Sequence, residues 1–120
     1  MDIILLLVLL QIKHFIADFW LQFPYMIEEK GTYWAEGGRH HALIHTAGTF
    51  LTLAFVLPDA IDLAVCLAFL DGIVHYHIDW AKMNISRGFT PADTEFWIWL
   101  GFDQALHQLT YLLLVAIIIL

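Results

Sequence analysis

Residues 60–82 read AIDLAVCLAFLDGIVHYHIDWAK, and how this stretch is read decides the fold. Apolar residues dominate it over a length that crosses the roughly 30 Å hydrocarbon core of a bilayer as a helix. It nevertheless carries Asp71, His75, His77 and Asp79. An aspartate at the centre of a membrane helix costs at least ~2.5–3.5 kcal/mol, so such residues face a bundle interior and need partners there. The one stretch therefore predicts both a membrane span and a polar cluster that other helices must complete.

Working outward, helix-length apolar stretches recur at about 3–22, 41–57 and 96–120. Of the 120 residues, 61% are apolar and 14% charged, where a soluble domain has roughly 45–50% and about 25%; the mean hydropathy is +0.74. The expected fold is all-α, a four-transmembrane-helix up-down bundle, forming a single integral-membrane domain over residues 1–120 with helices at about 3–22, 41–57, 60–82 and 96–120. The first stretch opens Met1-Asp2 without a basic leader region and continues through Lys13, His14 and Asp18 with no small-residue cleavage site, so it reads as an uncleaved helix. The last ten residues are almost purely aliphatic and read as lipid-facing helix. Cys66, the single cysteine, reads as a small buried hydrophobe.

Residues 23–40, with Pro24, Gly31, Gly37 and Gly38, and residues 84–95, with Gly88 and Pro91, read as loops. Leu57-Pro58-Asp59-Ala60 reads as a tight turn that makes the second and third helices a hairpin. In up-down order both long loops share one side, and both termini share the other with the tight turn. The five basic residues, Lys13, Lys30, Arg39, Lys82 and Arg87, fall on or near the long-loop side, so the positive-inside rule places the loops in the cytoplasm and both termini outside. Trp20, Tyr25, Trp34, Trp80, Trp97 and Trp99 gather at that end as an interfacial belt. A formal charge of -7 excludes the cationic surface that nucleic-acid binding requires.

Each expected helix holds a pair of ionisable residues at i, i+4: His14 and Asp18, His41 and His45, His75 and Asp79, Asp103 and His107. That spacing puts two side chains on one face, a turn apart. Chance placement of the chain's His and Asp residues gives roughly two such pairs. Measured at about 1.5 Å per residue from the outer end of each helix, all four pairs lie at the same depth. Hydropathy requires no such layer, whereas a bundle that binds metal between its helices does. Five imidazoles and three carboxylates exceed the needs of one ion and suit two divalent ions. Mixed nitrogen and oxygen donors favour zinc first, with manganese or iron as alternatives, over calcium. Gln22 continues the His14, Asp18 stripe by a turn, Asp71 lies a turn deeper than His75 and Gln104 neighbours Asp103, all placed to take the second ring nitrogen of a liganding histidine, with Asp71 alternatively a ligand itself; Thr49 and Thr110 are polar on the same faces. His40 and His77 lie off the paired faces and read as ordinary polar residues.

The stretches Lys13-His14-Phe15-Ile16-Ala17-Asp18-Phe19, His75-Tyr76-His77-Ile78-Asp79 and Phe102-Asp103-Gln104-Ala105-Leu106-His107, taken in order, resemble a family of small bacterial and phage integral-membrane proteins known as a domain of unknown function. The resemblance covers essentially the whole chain and implies a bacterial inner membrane or a phage-encoded protein. A looser similarity runs to membrane-bound metal-dependent hydrolases and, through repeated His-x-x-x-Asp/Glu pairs, to zinc phospholipase C and the P1-type nucleases. It implies that His14, Asp18, His75 and Asp79 are metal ligands. The chain is much shorter than those enzymes and lacks an equivalent of their N-terminal ligand.

The expected function is that of a membrane-embedded metalloprotein with a two-metal His/Asp site near the cytoplasmic face. It would hydrolyse a phosphoester or another amphiphilic substrate, with Lys82 or Arg39 neutralising substrate charge. The alternative is a non-enzymatic metal-binding or metal-stabilised structural subunit of a membrane assembly, where polar residues fix helix register; a homo-oligomer or larger assembly fits either. Haem binding is disfavoured because three of the four pairs contain aspartate, and permeation because the outer halves of three helices are nearly pure aliphatic.

Overall fold

The computed structural model describes residues 2–120; Met1 lies outside the described residues. The described residues are all-helical, with no strand. Helix α1 (Ile3–Phe15) is capped by Asp2, whose carboxylate accepts the Leu5 N–H at 3.1 Å. It runs directly into a π-helical turn, Ile16–Trp20, closed by the Leu21 N–H on the Ile16 carbonyl at 3.0 Å. Then follow α2 (Pro24–Glu29), α3 (Glu36–Val56), α4 (Ile61–Ile85) and α5 (Thr94–Ile119).

The expected loop over residues 23–40 is thus partly helical. Pro24 sits in the first turn of α2 after an extended Phe23, where its fixed φ suits a helix start. Helix α3 begins at Glu36 instead of near residue 41 because Glu29 supplies the missing cap, its carboxylate accepting the Gly37 N–H at 2.6 Å. Gly37 is required there: a Cβ would lie 2.6 Å from the Tyr25 carbonyl oxygen. Trp34, with φ 67, adopts the left-handed conformation and donates its N–H to the Tyr76 hydroxyl at 2.6 Å.

Helices α3 and α4 join through the expected turn, with the Ala60 N–H on the Leu57 carbonyl at 3.1 Å. Their register is antiparallel. Thr49 meets Asp71, His45 stacks on His75, and His41 approaches Asp79, so each step of four along α3 matches a step of four back along α4. Gly72 allows this close approach, since a Cβ there would lie 1.9 Å from Thr46 Oγ1. Gly72→Ala is therefore expected to wedge the hairpin and lower stability by about 1–3 kcal/mol. Thermal unfolding in detergent checks this, and Gly72→Ala/Thr46→Ala should recover part of the loss by removing the clashing hydroxyl. Helix α5 runs antiparallel to α1, with Tyr111 near His14 and Gln104 near Asp18.

The interior is divided along the bundle. At one end Leu6, Leu10, Leu53, Leu67, Tyr111 and Leu114 pack into an apolar core; the polar residues occupy the other part. Leu114 and Val115 belong to that core, so only part of the aliphatic C-terminal stretch faces outward, as Leu112, Leu113 and Ile117 do. Cys66 is exposed, contrary to the buried reading, because the core-facing positions of its turn are taken by Ala64 and Leu67.

Outside, many large apolar side chains are exposed, among them Ile4, Leu51, Phe55, Phe69, Phe102 and Leu109. Three segments, Ile3–Trp20, Ile61–Ile85 and Thr94–Ile119, are long and apolar enough to cross a membrane, which places the chain with membrane proteins. Helix α3 falls outside that class. Arg39, His40, His41, His45 and three threonines lower its mean hydropathy.

Candidate metal centre

The cluster forms where all four long helical segments converge. Asp18, carried by the π turn, is at its middle. Its Oδ1 lies 3.1 Å from His41 Nε2, 2.9 Å from His45 Nε2 and 3.8 Å from His75 Nε2, and its Oδ2 lies 3.1 Å from His14 Nε2. A π turn inserts one residue into the helical ladder and re-aims the side chains around it, a device frequent at functional sites. Asp79 makes a second centre: Oδ2 lies 3.4 Å from His41 Nε2, 3.2 Å from His75 Nε2 and 2.7 Å from Lys30 Nζ, and Oδ1 lies 3.3 Å from His107 Nε2. Asp103 Oδ1 is 3.4 Å from His107 Nε2. The rings of His75 and His45 stack at 3.5 Å between centroids, and those of His75 and His107 at 4.0 Å. All eight residues of the four sequence pairs are buried and come together here.

Protons alone serve this geometry poorly. His41 Nε2 carries at most one hydrogen, yet it faces Asp18 Oδ1 and His75 Nε2 at 3.1 Å each and Asp79 Oδ2 at 3.4 Å. Two groups of donors, Asp18 with His41, His45 and His75, and His75 with Asp79 and His107, have ligand atoms within 4.8 Å of one another and could each hold a metal ion. Ligands about 2.0–2.2 Å from a tetrahedral ion stand about 3.3–3.6 Å apart. The 2.9–3.8 Å separations around Asp18 bracket that spacing.

Charge points the same way. Asp18, Asp71, Asp79 and Asp103 are buried carboxylates. Lys13 pairs with Asp71 at 2.8 Å and Lys30 with Asp79 at 2.7 Å. Among the described residues, the ionic partners of Asp18 and Asp103 are imidazoles only. Two negative charges inside the bundle thus call for imidazolium or metal.

A second polar layer lies one turn deeper. Lys13, 8% exposed, donates to Asp71 at 2.8 Å and to the Tyr111 hydroxyl at 3.2 Å, and its Nζ lies 3.1 Å from His45 Nδ1. The Tyr111 hydroxyl is 2.8 Å from His14 Nδ1, and Thr49 donates to Asp71 at 2.5 Å. The layer ties down the Nδ1 edges of His14 and His45 and leaves their Nε2 edges facing Asp18. Gly48 makes room for the Lys13 stem, since a Cβ would come within 2.8 Å of its Cγ.

Other expected residues take definite places. Gln104 Oε1 lies 3.0 Å from His14 Nε2, and its amide donates to Asp103 at 3.1 Å and Asp18 at 3.5 Å. Gln22 donates to the Asp18 backbone carbonyl at 2.7 Å. Thr110 donates to the Leu106 carbonyl at 2.9 Å. His40 pairs with the Tyr25 hydroxyl at 3.0 Å and His77 with the Tyr33 hydroxyl at 3.2 Å, both outside the cluster. Lys82 lines a cavity of ≈ 120 Å³ that opens onto the cluster beside Lys30, Asp18, Asp79 and Asp103. Arg39 does not line it; its guanidinium lies 5.5 Å from the Trp34 ring, at a separate groove between α3 and α4. In the sequence Lys13 reads only as a loop-side charge, and nothing marks Tyr111.

The family model described as "Protein of unknown function (DUF3307)" matches residues 5–120. The chain belongs to this family. The matched span takes in the whole cluster, so every side chain just described lies within the DUF3307 region. No curated protein and no solved structure matches the chain.

Proposed function

We propose that this DUF3307 chain is a membrane-embedded metalloprotein that binds two divalent ions, zinc foremost with manganese or iron as alternatives, and hydrolyses a phosphoester. The observation that carries the proposal is the convergence of His41, His45 and His75 Nε2 on Asp18 Oδ1, with His41 Nε2, which carries at most one hydrogen, facing Asp18, Asp79 and His75 Nε2 together. In this reading the first ion takes Asp18, His41, His45 and His75. The second would take Asp79 and His107 with Asp103, His75 standing in reach of both ions, and His14 would steady Asp18.

Two divalent ions held there would supply Lewis acidity for attack of water on a phosphoester. Water adds at phosphorus, the ester P–O bond breaks, and the alcohol leaves with a proton. Lys82, at the cavity and not paired with a carboxylate, offsets the phosphate charge, and Lys30 lines the same cavity while paired with Asp79; Arg39, remote from it, is given no part.

We read α3 as a fourth span in a single domain. Its polar residues His41, His45 and Thr49 are buried while Leu43, Leu51 and Phe55 are exposed, so its outer face is as apolar as its neighbours'. The cluster end, with its lysines, then lies at the cytoplasmic face of a bacterial inner membrane.

The test is turnover of a soluble phosphomonoester such as phenyl phosphate, and of a phosphodiester, by detergent-purified protein supplied with zinc, manganese or iron. Metal-dependent phosphate release, lost in His41→Ala, is the expected outcome. Full metal content with no hydrolysis of either ester would reject the enzyme and leave a metal-stapled structural subunit, the reading that the buried Lys13–Asp71 pair favours as a register-fixing device.

A further inference from the structure

The small polar cavity at the cluster lies beside a larger apolar groove. That groove, ≈ 410 Å³, runs between α4 and α5 along Ile78, Ala81, Ile85, Trp99, Phe102 and Leu106, on the face where Phe102 is exposed. Lys82 and Asp103 line both spaces. The two spaces therefore adjoin across Lys82 and Asp103 and make a two-part recess, apolar on the outer side of α4 and α5 and polar at the His/Asp cluster. Among the described residues, the Lys82 ammonium meets only the Met83 sulfur at 3.9 Å and the Phe96 ring, 5.8 Å from its centroid. Its charge is not spent on a carboxylate.

We propose that this recess binds a membrane lipid bearing a phosphomonoester headgroup, its chain in the α4/α5 groove and its phosphate beside Lys82 and Lys30. The choice of a phosphate rests on the hydrolase reading above. Asp18, Asp79 and Asp103 also line the inner end, so an anion is admitted there only with the cations that the cluster would hold, and Lys82 adds the remaining complementarity. The relative sizes select the lipid. The polar end has less than a third of the groove's volume, which suits a bare phosphate on a long chain and disfavours a headgroup extended by choline or sugar. Reaching the site sideways from the bilayer also spares the lipid's chain from crossing water.

Trp99 in the groove wall provides the readout. Metal-supplied protein in phosphatidylcholine nanodiscs is titrated with chain-brominated phosphatidic acid or chain-brominated phosphatidylcholine, and the fluorescence quenched in the wild type but not in Trp99→Phe is followed. Phosphatidic acid should quench at a roughly tenfold lower mole fraction, and Lys82→Gln should erase most of that preference. Ala81→Phe, which fills the groove, should abolish the quenching at unchanged metal content, the metal content showing that the variant is folded. Equal quenching by the two lipids would overturn the inference, and it would do so even if phenyl phosphate is hydrolysed and the enzymatic reading stands. A clear preference for phosphatidic acid without hydrolysis of any ester supports the lipid site while rejecting the hydrolase.

Discussion

Replacing His75 by alanine is expected to remove more metal than any other single change in the cluster. His75 belongs to both donor groups, one with Asp18, His41 and His45 and the other with Asp79 and His107. It is fully enclosed, and its Nε2 lies 3.1 Å from His41 Nε2 and 3.2 Å from Asp79 Oδ2. His75→Ala should take the bound metal from about two ions per chain to below one, since Nε2 is a donor to one ion while the ring packs against the donors of both groups, and ordered solvent cannot fill that buried place at equal affinity. His107→Ala should leave the first group intact and retain about one ion. His77→Ala, altering a side chain engaged with Tyr33 and the Ile73 carbonyl, should leave the content unchanged. Metal analysis of the three variants by mass spectrometry checks this, and equal loss in His75→Ala and His107→Ala would show that His75 is not shared.

Lys13→Met should produce the largest loss of stability. The substitution keeps most of the apolar stem that packs over Gly48 but leaves Asp71, 1% exposed, with the Thr49 hydroxyl alone. Breaking a buried ion pair from one side costs about 3–5 kcal/mol because the surviving charge is stranded. Replacing both partners, as in Lys13→Met/Asp71→Leu, should recover most of that loss. Thermal unfolding in one detergent compares them. If Lys13→Met unfolds like the wild type, Asp71 is already neutral and the charge reckoning around the cluster fails.

The cluster was legible in the sequence because helices repeat every 3.6 residues. Four pairs at i, i+4 and one common depth are what a layer of inward-facing side chains must look like when written linearly, and all eight side chains meet within the bundle. Lys13 was not legible. A lysine near a helix end ordinarily extends its head to the interface, and only the fold sets Asp71, Tyr111 and the open space over Gly48 around it. Helix α2 was masked by Pro24 and the neighbouring glycines, which signal a loop unless an acidic side chain such as Glu29 caps the next helix from a distance. The π turn at Asp18 leaves no sequence mark, since one extra residue in a ladder changes no composition. The low mean hydropathy of α3 comes in part from His41, His45 and Thr49, which face inward.

Metal content decides the nature of the cluster. The protein should be purified in detergent without chelator, resupplied in turn with zinc, manganese and iron, and freed of unbound ion before elemental analysis beside His75→Ala/Asp79→Ala. About two ions per chain of one of these metals, lost in the double variant, is the expected result. Wild-type protein that remains folded and metal-free after every supply would contradict the account, and the cluster would then be held by protons alone.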